Sequence, residues 1–174
     1  MAALFRELLG ESLDRVPAPI RALHEAALPR RFEGRAQVRA AQGWLARGLA
    51  RVVGLPGRDL DAPVAVTIER DGDAEVWTRH FPPRPMRSRL WQRGGVLHEQ
   101  LGPVLLRFRL QADDEGLSWQ PLSARSAGAP VPAARLRGIS ARESLRDGRY
   151  GFAVGARLPG LGHVVAYEGW LDVE

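Results

Sequence analysis

The sequence predicts an α+β fold dominated by β structure: an antiparallel meander forming a barrel or strongly curved sheet, with two or three short N-terminal helices. Three observations predict it. From residue 62 onward apolar residues recur at every second position, the period of strands buried on one face. Tight-turn pairs such as Asp71-Gly72, Gly94-Gly95 and Asp147-Gly148 interrupt that pattern repeatedly, as hairpins require. The N-terminal third instead spaces its apolar residues as helices do, between glycines and prolines.

Taken in order, Leu4, Phe5, Leu8 and Leu9 share a helical stripe that Gly10 can end. Pro19 opens a second short helix carrying Ile20, Leu23 and Ala27, and Pro29 stops it. Phe32, Gly34, Ala36 and Val38 alternate with Glu33, Arg35 and Gln37, which predicts a strand. Trp44, Leu45, Leu49, Val52 and Val53 form one more helical face, closed by a turn at 54–57. Strands are then expected over 64–70, 75–81, 87–93, 96–101 and 104–110. In the last of these Val104, Leu106, Phe108 and Leu110 point one way, and Arg107 and Arg109 the other. Further strands follow at 117–122, 138–145, 150–158 and 163–173, with a loop rich in Ala, Gly and Pro at 126–134. So many sequential hairpins need closure or strong curvature to protect their edges. The chain reads as a single domain over 1–174, with no repeat of fixed period.

Composition narrows the chemistry. Every one of the 25 basic residues is arginine, and there is no cysteine. Disulfides, thiolate catalysis, a Schiff-base lysine and a Walker lysine are thereby excluded. The isoelectric point near 11.0 suggests nucleic acid, but it follows from a formal charge of only +5 in a chain without lysine. The arginines are also spread among 20 acids, so no nucleic-acid partner is expected. Charge at Arg6 and Glu7 interrupts what would be the apolar core of a leader, and no apolar run is long enough for a membrane-spanning helix. A cytoplasmic location is the expectation.

Motifs of known chemistry are missing. The four histidines (His24, His80, His98 and His163) lack metal-ligand spacing, so neither a metal nor a cofactor is expected. None of the seven serines lies in G-x-S-x-G, and no G-x-G-x-x-G follows a strand. His24 stands out because it ends a short helix just ahead of the Arg30–Gly34 segment; structural hydrogen bonding is its alternative role. Between Val76 and His98 run Arg79, Arg84, Arg87, Arg89 and Arg93, with no acid among them and with Trp77, Phe81 and Trp91 interleaved. Three readings compete for them: solvated outer-face arginines, a pocket for phosphate or carboxylate, and single-stranded nucleic acid. Glu75, Glu99 and Glu143 are candidate internal partners. Five tryptophans suit either a core or the walls of an apolar cavity.

A set of segments resembles, in order, an uncharacterised bacterial domain-of-unknown-function family, the four-one-six-six domain. The matching segments begin with Val16-Pro17, Ile20–His24, Arg31–Ala36 and Gly54-Leu55-Pro56. They continue through Glu75–Phe81, Ser88 and Glu99–Pro103. Gly116–Trp119, Ala141-Arg142-Glu143, Asp147–Tyr150 and Tyr167–Leu171 close the set. Pro82-Pro83 and Gly94-Gly95 depart from the pattern, in loops. The resemblance implies a protein found alone or fused behind nicotinamide-dependent oxidoreductase-type domains, and it brings no established activity.

Three functional readings follow. The first is a module that binds an apolar or amphipathic small molecule with an anionic end. The second is a protein-interaction or accessory domain of an oxidoreductase, and the third an enzyme using His24 and carboxylates. The first expects His24, Glu33, Arg35, Glu75, Arg79 and Arg142 to converge on one polar site. Arg142 is preferred there to Glu143, since adjacent strand residues face opposite ways; ordinary salt bridges pinning helices to the sheet are the alternative. A cavity beside polar groups favours binding, whereas a solid core with an exposed Trp-Arg patch favours docking.

Overall fold

The computed structural model describes residues 3–173; Met1, Ala2 and Glu174 lie outside it, and with them part of the stretch weighed above as a leader. Two α-helices, α1 (Leu4–Leu9) and α2 (Ala18–Glu25), flank a 3-10 turn at Gly10–Arg15. Strand β1 (Arg30–Ala40) and helix α3 (Trp44–Val52) follow. The meander then runs through β2 (Leu60–Asp71), β3 (Ala74–Arg79), β4 (Met86–Arg93), β5 (Val96–Leu101), β6 (Val104–Asp113) and β7 (Gly116–Ser126). After a two-residue β8 (Ala129–Pro130) and a one-turn α4 (Ala133–Leu136) come β9 (Ile139–Arg146), β10 (Arg149–Leu158) and β11 (Gly162–Asp172).

Every pairing is antiparallel, and the sheet closes into a barrel. Consecutive strands pair from β1 to β7, β9 pairs with β10 and β10 with β11, and β11 returns to β1. The seam between β7 and β9 spans only Gly116–Trp119. Beyond it β8 and α4 cover the end of β7, and the Leu136 side chain is buried. As expected, β2 pairs with β3 across Asp71-Gly72, and β10 pairs with both its neighbours.

Side chains alternate in and out along the strands, which sets what the barrel encloses. Phe32, Ala36 and Val38 of β1 are buried, as are Leu106 and Phe108 of β6, while Arg107 and Arg109 face solvent. Two glycines allow β1 and β11 to coil tightly at their junction. A Cβ on Gly34 would fall 1.9 Å from the Trp170 carbonyl oxygen, and one on Gly169 2.1 Å from that of Arg35. No side chain fits at either place.

The two ends of the barrel are finished differently. The strand ends of the Asp71-Gly72, Gly94-Gly95 and Asp147-Gly148 hairpins share one end with α1 and α2. There Phe5, Leu13, Ile20 and Leu23 are each at most 1% exposed and plug the opening. At the other end lie α3 and α4. Helix α3 seats Ala46 and Ala50 against Ala41 and Val164, and its last turn meets the β5–β6 turn, where a Cβ on Gly102 would lie 3.0 Å from the Val52 carbonyl.

The sequence groups Trp44, Leu45, Leu49, Val52 and Val53 as a single face, and the structure divides them. Leu49 and Val53 turn inward, whereas Trp44 is 80% exposed, Val52 60% and Leu45 48%. The alanines, small enough to sit close to β11, take the packing side that the larger residues were expected to fill.

Candidate functional site

Between the plug and α3 the barrel holds a partly open cavity of about 330 Å³. Its upper rim carries Leu49, Val53 and Leu55, with Val131 and Leu136 near α4. Its walls are apolar, with Val64, Met86, Phe108 and Val165 among them. Polar groups gather on a few strands: Arg79 from β3, Glu99 from β5, Glu143 from β9, Tyr150 from β10 and Tyr167 from β11. Strand alternation places them there. Arg79 shares the inward phase of Trp77, Glu99 that of Leu97, and Tyr150 is fully enclosed.

Two polar clusters result. In the first, the Trp77 indole donates to Glu75 at 3.0 Å, and Arg79 Nη1 donates to Ser88 Oγ at 3.0 Å. Arg79 Nη2 lies 3.7 Å from Glu99 Oε1. That separation is an ion pair but too long for a hydrogen bond, so the guanidinium keeps donors to spare. The Trp77 ring lies 5.5 Å from the same guanidinium, a cation–π contact.

In the second cluster, His24 Nε2 is 2.6 Å from Glu143 Oε2, and the Trp119 indole donates to Glu143 Oε1 at 3.1 Å. Phe5 stacks on the imidazole with ring centres 3.7 Å apart. His24 Nδ1 is buried and makes no hydrogen bond among the described residues. Glu143 faces the cavity; His24, with no exposed side-chain surface, stands behind it in the plug. Burial, then the neighbouring Glu143 carboxylate, pushes the Tyr150 hydroxyl well above its ordinary value of 10.0. Burial likewise raises Tyr167, against the opposing pull of Arg79.

Of the six residues expected to converge, three point into the barrel: His24, Glu75 and Arg79. Glu33 and Arg35 do not. They stand on the outer wall, where Glu33 pairs with Arg31 at 3.2 Å and Arg35 with Asp61 at 2.7 Å. Their alternation with Phe32, Ala36 and Val38 already sends them outward, because β1 buries its apolar set. Arg142 is also outside, donating to Ser118 Oγ at 2.6 Å and to Glu115 at 3.1 Å. The preference between neighbours was therefore inverted, and Glu143 is the inward one. Glu143 shares the phase of Ile139 and Ala141 within β9, and Leu117 and Phe152 flank it on β7 and β10.

Glu99, Ser88, Tyr150 and Tyr167 were not among the six. Glu99 and Tyr150 carried a signal, since each sits in register with an apolar neighbour two residues away. The arginine row of β4 faces outward: Arg89 pairs with Asp71 at 2.9 Å and lies over Trp91, which stacks on His98. Burial holds His98 below its ordinary 6.5, with Arg107 and Arg93 acting in the same direction.

Residues 16–171 match the family described as Domain of unknown function (DUF4166), and the chain belongs to that family. No curated protein matches the sequence. Among solved structures, it is similar to zebrafish ileal bile acid-binding protein complexed with cholic acid. The identity is 14% over 83% of this chain and 98% of that one, with a TM-score of 0.39. That superposition is too loose to transfer anything from one barrel to the other.

Proposed function

We propose that the barrel binds an apolar or amphipathic small molecule whose anionic or hydrogen-bond-accepting end meets Arg79. The observation that carries this reading is the apolar cavity of about 330 Å³ with an incompletely paired guanidinium in its wall. That volume falls within the range of small-molecule sites, which combine apolar walls with a few placed polar groups. A buried guanidinium with spare donors prefers a carboxylate or another acceptor of like geometry. The Tyr150 and Tyr167 hydroxyls, whose pKa values burial raises further, add neutral polar groups to the same cavity.

A cavity inside the barrel favours binding over the docking role beside an oxidoreductase, which calls for a solid core. The enzymatic reading rests on the His24–Glu143 contact. His24 has no exposed surface and is stacked under Phe5, so it fixes the Glu143 carboxylate and does not meet a ligand. The test is titration with a medium-chain fatty acid, followed by quenching of Trp77 and Trp119 and by calorimetry. Saturable binding at one site is expected. Arg79→Gln should weaken it about tenfold, as the loss of one charge-assisted hydrogen bond does, and Ala156→Phe at the rim should block it. Binding that neither substitution alters would overturn the proposal, as would no saturable binding by fatty acids, alcohols or sterols.

A further inference from the structure

We propose that the α3 end of the barrel docks on the surface of an anionic lipid bilayer, with Trp44 as its anchor. The proposal does not depend on what the cavity holds.

The first observation is the exposed face of α3. At about 3.6 residues per turn, Trp44, Leu45, Gly48 and Val52 fall on one side of the helix. Arg47 and Arg51 run along the edge of that side, and the helix contains no acid. Trp44, Leu45 and Val52 are the largest apolar groups left in solvent at this end of the molecule. An apolar face edged by arginine, led by a tryptophan, matches the interfacial region of a bilayer, where indole rings and snorkelling cations are both favoured.

The second observation is independent and concerns charge. The segments that join strands at this end are 41–59, 80–85, 102–103, 127–138 and 159–161. They carry six arginines (Arg47, Arg51, Arg58, Arg84, Arg135 and Arg137) against a single acid, Asp59. Asp59 is engaged in accepting from the Ala40 amide at 2.7 Å. All six arginines are exposed, and none forms a salt bridge among the described residues. The opposite end is the reverse: its connections 72–73, 94–95, 114–115 and 147–148 bear Asp73, Asp114, Glu115 and Asp147 and no arginine. The segment before β1 sets Glu7, Glu11, Asp14 and Glu25 against Arg6, Arg15 and Arg21. The chain's +5 is thus polarised along the barrel axis, and that dipole turns α3 toward a negative plane.

The choice of a bilayer over another partner rests on the spread of the six arginines. Arg47 and Arg51 lie on α3, Arg58 follows it, and Arg84, Arg135 and Arg137 come from two other connections at the same end. Charge spread over three connections suits a flat, laterally mobile array of charges.

The experiment is co-sedimentation of the full chain with vesicles of phosphatidylcholine, and with vesicles in which about a quarter of it is replaced by phosphatidylglycerol. Binding is expected only to the second, and should fall about tenfold or more as salt rises from about 0.05 to about 0.5 M. Trp44 emission should shift to the blue on binding and be quenched by brominated acyl chains; a Trp44→Phe protein should lose that signal. Arg47→Gln/Arg51→Gln and Trp44→Ser/Val52→Ser should each reduce binding about tenfold, with urea midpoints unchanged. Equal binding to both vesicle types overturns the electrostatic basis. Absence of binding at low salt overturns the proposal, as does binding that both double variants retain. A concentration-dependent dimer abolished by Trp44→Ser/Val52→Ser assigns the face to a second copy of the chain and likewise overturns it.

Discussion

The two ends of this barrel bury comparable sequence in opposite ways. At the plug, α1 and α2 insert whole side chains, and Phe5 lies between His24, Trp77 and Trp119. At the other end α3 rests on alanines and leaves its large residues outside. Burial of large apolar surface dominates the favourable side of folding, so the plug should hold most of the stability that helices add to the barrel. The α3 seat has little to lose, which leaves it free to serve the cavity rim. A short helix can thus be a structural element or a working surface, and the size of the residues in its contact decides which.

The largest expected effect breaks the plug. Phe5→Ala removes a fully buried ring and should cost about 3–5 kcal/mol in urea unfolding. A cost below about 1 kcal/mol would mean that the plug and the α3 seat are equivalent after all.

Next comes the polar contact under that ring. Glu143→Leu strands His24 with neither nitrogen bonded, and also frees the Trp119 indole. Leaving a buried polar group without its partner costs about 1–3 kcal/mol. The double replacement His24→Leu/Glu143→Leu should recover part of it, since no orphaned group then remains. A double variant less stable than Glu143→Leu would assign the imidazole a packing role unrelated to Glu143.

A smaller effect is a pH dependence, and the composition makes it readable. Tyr150 and Tyr167 are the only tyrosines, and there is no lysine or cysteine to titrate beside them. Both hydroxyls are raised in the folded state. Above the unfolded value near 10 the unfolded chain gives up protons that the folded chain keeps. Stability is therefore full below pH 10 and declines above it until the folded values are passed. The slope should approach about 1.4 kcal/mol per pH unit for each tyrosine. Tyr150→Phe should flatten it more than Tyr167→Phe; a stability flat through pH 11 would contradict burial of both.

Much of this is legible in the sequence: the phase of each strand is local, and what leaves no local trace is the closure of the barrel. Period, turn pairs and terminal helices suffice for the antiparallel barrel, because each is local. Whether Glu143 or Arg142 enters the barrel depends on the phase of β9, where Ile139, Ala141 and Leu145 set an apolar alternation that Glu143 shares and Arg142 does not. Strand β1 has a strong one, and there Glu33 and Arg35 could have been placed outside. Closure of β11 on β1, which brings Tyr167 opposite Val38, joins the two ends of the chain and leaves no local trace. The β7–β9 seam that puts Glu143 beside Leu117 is equally non-local.

The smallest expected effect is also the sharpest test of the comparison. Trp44→Ser removes the largest side chain in α3, and by composition alone would rank with Phe5→Ala. Because the ring is 80% exposed, it should change stability by no more than about 0.5 kcal/mol, as surface substitutions do. Ala46→Leu adds only a few atoms, but to a residue with no exposed surface packed with Ala41 and Val164. Overpacking there should cost about 1–3 kcal/mol. The larger chemical change should thus be nearly silent and the smaller one costly. If Trp44→Ser instead lowers the urea midpoint as far as Ala46→Leu does, the indole is packed in solution, and α3 is a second plug instead of an open working surface.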